Sequence, residues 1–195
     1  LPADAPRNYQ DGNHKPELIV ALSERFEALS GLRPVERTLS LLSDLGDSPA
    51  VTELRTRLEA SRGDLRGVIG WLLSGEAQEQ VDAMIAVIEQ ASSSDFGAEL
   101  HAVRAIAAKN PGDPGVVVAL LMNYVVLARG EGIFLRAGLL HAYVSGLGVE
   151  IMAASDNVLR GGLTPKQIDV DELLSVLDAT PGEVPVLRPA ADGAI

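Results

Sequence analysis

From Leu18 to Asn110 apolar residues recur three and four positions apart, the period that keeps one helix face hydrophobic. Leu22, Phe26 and Leu29 predict a first helix closed by Gly31, and Val35, Leu39 and Leu42 a second ending at Gly46. Ser48 and Pro49 read as the cap and first residue of a third, whose core face is Val51, Leu54 and Leu58. A short apolar piece around Trp71 follows, then Val81, Met84, Ile85 and Ile88, then Phe96, Leu100, Val103 and Ile106, with Asp95 as cap. That last helix should stop at Asn110, because Pro111 disfavours helical backbone in the residue before it.

The pattern changes after the turn cluster Asn110–Gly115. "VVVALLMNYVVL" is β-branched and apolar and predicts a buried strand; glycines at intervals of about eight residues beyond it predict short antiparallel strands joined by tight turns. Thr164 and Pro165 predict the start of a last helix, and the residues after it a loop or new strand. Residues 1–17 are extended or irregular, so they should pair with strands after 116. The sum is α+β: a β domain carrying an inserted helical domain.

With 195 residues, 47% apolar, the chain can bury one core or two small ones. Its 16 basic and 27 acidic residues leave a net charge of −11, which argues against nucleic-acid or anionic-membrane partners. The absence of cysteine excludes disulfides and thiolate metal sites and fits a cytoplasmic setting. No apolar run approaches the length of a membrane helix. The first residue is Leu1, with no basic or apolar leader behind it, which reads as a processed product or a piece of a longer chain.

Candidate chemistry lies outside the helices. In "GNHKPEL" the proline favours an extended backbone, which turns His14 to one face and Lys15 and Glu17 to the other. An ion pair, a metal site or a proton-transfer site would each explain an ammonium and a carboxylate aimed together. In "LHAYVSG", His141, Tyr143 and Ser145 should share a face, whereas His101 lies mid-helix beside Glu99 and Arg104 and reads as a surface residue. Gly130, Gly138, His141 and Ser145 have a spacing that resembles the second cupin motif, with Arg136 and Ser145 replacing its Pro and Asn. Cupins are small jelly-roll barrels holding a metal in the barrel mouth, and the motif's His is a ligand. "GVEIMAASDNVLRGGLTPK" gathers Glu150, Asp156, Asn157, Arg160 and Lys166 between glycines.

Taken in order, "NHKPEL", "GDPG…LLMNYV", "LHAYVSG" and "VEIMAASDNVLRGGLTPK" resemble type I phosphomannose isomerase over nearly the whole chain. The resemblance implies a cupin (jelly-roll) barrel portion with an inserted helical domain. Residues 1–17 and 111–175 would belong to the catalytic domain, 18–110 to the insertion, and 176–195 to a linker and the start of a further domain. It implies zinc-dependent interconversion of mannose 6-phosphate and fructose 6-phosphate through a cis-enediol; the alternative is a cupin module that binds a sugar phosphate without turnover. Glu17 and His141 would ligate zinc, while Arg160, Lys15 and Glu150 would be catalytic and Lys166, Tyr143 and Asp156 would bind substrate. Moving a proton between adjacent carbons needs positive charge near the developing oxyanion and a base in reach. Lys15, Glu150 and a water on the metal are the candidates. The phosphate needs cations such as Arg160 and Lys166. The family's upstream Gln-x-His pair, which supplies its remaining ligands, does not occur in these residues.

Overall fold

The computed structural model describes residues 9, 11–164 and 168–189. Two antiparallel three-stranded sheets face each other. One is ordered β4-β1-β6, from Gly132–Leu135, Glu17–Ala21 and Gly148–Met152; the other is β3-β2-β5, from Met122–Leu127, Phe26–Leu32 and His141–Ser145. Ile19, Ala21, Phe26, Ala28, Val125, Leu127, Ile133 and Leu135 fill the space between them. The fold is α+β as expected, with the β part present as two open sheets. Strands adjacent in sequence, β3 with β4 and β5 with β6, lie in opposite sheets, so their tight turns are corners rather than hairpins. The β5–β6 corner needs glycine at position 146, where φ is +108° and a Cβ would come within 2.8 Å of Phe26 Cα.

The helix expected from Leu18 to Gly31 is two strands, β1 and β2. Helical spacing misleads here because β2 is covered on both faces: Phe26, Ala28 and Ser30 turn toward the opposite sheet, and Leu29 and Leu32 join the helical core. The helices instead run from Val35: α1 Val35–Asp44, α2 Pro49–Ala60, α3 Arg66–Leu73, α4 Gln78–Gln90, α5 Gly97–Lys109 and α6 Gly115–Leu120. Ser48 Oγ accepts from Val51 N at 3.3 Å and caps α2 as its sequence predicts. The α5 N-cap is Phe96 rather than Asp95, with Ser93 Oγ accepting from both Asp95 N and Phe96 N. The start of the expected buried strand, Val116–Leu120, is α6. All six residues of α6 are buried, so a β-branched apolar run carries no period to separate helix from strand. The last helix, α7, spans Val170–Val176 and is capped by Asp169 rather than Thr164; Pro165 lies outside the described residues. Leu173 and Leu177 bind α7 into the helical core. Burying each such side chain contributes about 1.5–3 kcal/mol.

Candidate metal centre and adjoining cavity

Pairing begins at Glu17. It sits opposite Leu135 of β4 on one side and Met152 of β6 on the other, so its side-chain direction is fixed by two neighbours. His141 opens β5 opposite the buried Ser30 of β2. Although they lie in different sheets, the two side chains meet: Glu17 Oε2 is 3.2 Å from His141 Nε2. Glu150, on β6 beside β1, brings a third donor, and ligand atoms of Glu17, His141 and Glu150 all lie within 4.8 Å of one another. Lys15 Nζ stands 3.3 Å from Glu17 Oε1, both side chains mostly buried. The Tyr143 hydroxyl donates to Glu150 Oε1. Burial, then that bond, then the charges of Glu150 and Glu17 push the phenol well above its ordinary range.

His141 Nδ1 is 3.1 Å from the Leu139 carbonyl, which can only accept, so Nδ1 carries a proton. In the neutral ring Nε2 is then a lone pair facing a carboxylate oxygen, with a second carboxylate close by. Acceptors gathered in this way call for a cation between them. One imidazole nitrogen and two carboxylates suit zinc, and the second imidazole nitrogen is held by a carbonyl as metal-binding histidines usually are.

The group opens into a cavity of about 540 Å³, roughly the size of small-molecule sites generally. Lys15, Glu17, His141, Tyr143 and Glu150 line it. His14 lines it too. Residues 13–16 belong to no strand, so the expected alternation between His14 and Lys15 does not apply before pairing starts at Glu17. Ser145 leaves the face of His141 and Tyr143: the β2–β5 register shifts between Glu27 and Ala28, and Ser145 Oγ donates to Glu27 Oε2 at 2.6 Å. Arg160 and Asp156 are exposed and are not among the lining residues. Among the described residues Asp156 engages Asp11 through its backbone N–H, not the Arg160 guanidinium. Lys166 lies outside the described residues. His101 is exposed on α5, away from the cavity.

Several lining residues were not singled out from the sequence. Tyr9 lines the cavity and donates to Glu172 Oε1 at 2.5 Å, a bond that raises its phenol to about 12. Asn13 lines it as well, its carbonyl accepting at 3.2 Å from Nδ2 of Asn157, which the sequence already gathers among the polar residues after β6. Leu173, Val176 and Leu177 supply an apolar wall.

This arrangement has relatives. The family model described as phosphomannose isomerase type I, catalytic domain, matches residues 1–35. The mannose-6-phosphate isomerase of Escherichia coli (strain K12) is 39% identical over 198 residues, covering 100% of this chain and 50% of that protein. The chain is a relative of the type I phosphomannose isomerases. A point mutant of phosphomannose isomerase from Salmonella typhimurium superposes with a TM-score of 0.78 at 37% identity, over 93% of this chain and 46% of that one. A mannose 6-phosphate isomerase described as holo and zinc bound superposes with a TM-score of 0.75 at 37% identity, over 93% and 46%. The chain spans about half the length of the curated phosphomannose isomerases it matches.

Proposed function

We propose that the polypeptide carrying this chain is a zinc-dependent isomerase that interconverts mannose 6-phosphate and fructose 6-phosphate through a cis-enediol. The observation that carries the reading is the convergence of Glu17, His141 and Glu150 at one end of a cavity, with His141 Nε2 facing a carboxylate. The names of the relatives supply the substrate. On this reading Glu17 and His141 hold the metal. When bound, zinc supplies a Lewis acid that favours negative charge on the substrate's reacting oxygens. Glu150 moves the proton between the adjacent carbons, steadied by the Tyr143 hydroxyl; Lys15 is the less suited base, since its ammonium pairs with Glu17. Arg160 and Lys166 meet the phosphate and Asp156 the sugar hydroxyls, which asks the exposed Arg160 to turn toward the cavity. Neither nucleic acid nor membrane is a partner. The charge of −11 supports the first part, and among the described residues no helix is long and apolar enough to cross a membrane. A cytoplasmic setting fits the lack of cysteine.

The test is turnover of mannose 6-phosphate by the full polypeptide before chelation, after it, and after zinc is restored. Loss and recovery of fructose 6-phosphate formation are expected. Turnover that ignores zinc would overturn the reading, and sugar-phosphate binding without turnover would favour a non-catalytic binding module.

A further inference from the structure

The segment after β6 supplies one wall of the cavity, through Asn157, Val158 and Leu159. It has little regular structure of its own, so something else must hold that wall in place. Its near end is tied to the N-terminal segment: Asn157 Nδ2 donates to the Asp11 and Asn13 carbonyls at 3.0 and 3.2 Å. Its far end passes against the helical block at Gly162. A Cβ there would lie 2.5 Å from Gly115 Cα, and a Cβ on Gly115, the first residue of α6, would lie 2.9 Å from both Gly162 Cα and Leu163 N. The two backbones are in contact, and only two facing glycines permit it. The segment departs from ordinary conformation at the crossing, with φ +119° at Gly162 and +58° at Leu163. Asp113 Oδ1 accepts from Gly115 N at 2.7 Å and closes the turn that presents this glycine.

We propose that Gly115 is a positioning residue: its contact with Gly162 fixes the 157–162 segment as a cavity wall and sets where Arg160 is carried, so the helical block takes part in building the site. The kinetic part rests on the isomerase reading above; the structural part does not. α5 provides a matched control. Gly97 is also the first residue of a helix, and a Cβ there would meet nothing within 4 Å.

The experiment compares Gly115→Ala with Gly97→Ala in the full polypeptide. It measures hydrogen exchange of residues 155–163, zinc content, melting temperature, and kcat and KM for mannose 6-phosphate. Gly115→Ala is expected to speed exchange across 155–163 and to lower kcat/KM by about ten- to a hundredfold, with zinc content unchanged. Gly97→Ala is expected to match the parent in all four. A variant Gly115→Ala that keeps parental exchange in this segment overturns the proposal, whatever happens to its melting temperature. Faster exchange with unaltered kcat and KM reduces the contact to a structural one and also overturns it. If the parent does not isomerise mannose 6-phosphate, the isomerase reading falls, and the exchange comparison alone decides whether Gly115 holds the wall.

Discussion

Glu17 on β1 and Glu27 on β2 are partly buried strand carboxylates, each with a cation in contact, Lys15 at 3.3 Å and Arg25 at 2.7 Å. Beyond the cation their surroundings differ in kind. Glu27 is ringed by donors: Ser145 Oγ at 2.6 Å, the Tyr124 hydroxyl at 2.5 Å and the Arg25 guanidinium. The Ser145 bond first, then Tyr124 and Arg25, hold its carboxyl down at about 2. Glu17 is ringed by acceptors, with His141 Nε2 at 3.2 Å and a Glu150 oxygen inside the same 4.8 Å group. A carboxylate surrounded by donors is complete and strengthens the sheet. A carboxylate whose other oxygen faces an imidazole nitrogen and a second carboxylate has, besides its lysine, a place for a further cation, and this one stands at the edge of a cavity. The same residue type on consecutive strands serves architecture in one place and, on the proposed reading, chemistry in the other.

The largest effect should come from Glu150, the group proposed to move the proton. Glu150→Gln in the full polypeptide should cut kcat for mannose 6-phosphate by roughly 10²–10⁴-fold, whereas Glu27→Gln should leave kcat near the parent's at a temperature where both are folded. Equal losses would erase the distinction between the two clusters. Next, His141→Ala should weaken zinc binding by more than about a hundredfold, since even residues that only support a ligand cost 10–100-fold. Ser145→Ala should leave zinc affinity unchanged, as titration with zinc would show. A third test concerns acid stability. The Glu27 pKa lies below its ordinary 4.5, so its contribution is whole above that pH and is lost as the pH falls through about 2. Glu27→Gln should therefore destabilise the protein by about 1–3 kcal/mol near neutral pH and lose less than the parent on acidification, measured by urea unfolding across that window. Smallest of all, Glu59→Gln and Glu79→Gln, exposed on α2 and α4, should leave turnover within roughly a factor of two. A hundredfold loss would make the surface of the helical block part of the site.

What was legible in the sequence follows from how each segment is buried. Helices α2 and α4 keep one wet face, so Val51, Leu54 and Leu58, and Val81, Met84, Ile85 and Ile88, spell out their period plainly. The strand β2 has no wet face for most of its length and α6 none at all, so the first was read as helix and the second as strand. In the site, Glu17, His141 and Glu150 were legible through short motifs whose order resembles a family. The wall of α7, the Tyr9–Glu172 bond and the turning away of Ser145 were not. Each depends on a contact between distant segments or on one irregular step in strand register, and neither leaves a local pattern.

The placement of β1 between β4 and β6 also bears on how the chain comes to be folded during synthesis. Many contacts within the helical block join consecutive helices, α1 with α2, α4 with α5 and α5 with α6, and contacts between near neighbours in sequence form early. The partners of β1 begin only at Gly132 and Gly148. As the chain leaves the ribosome, the helical block can be assembled while β1, with Ile19 and Ala21 destined for the interior, still waits for both of its neighbours. Glu17 therefore gains the second of its two strand neighbours only once β6, which also carries Glu150, has been made.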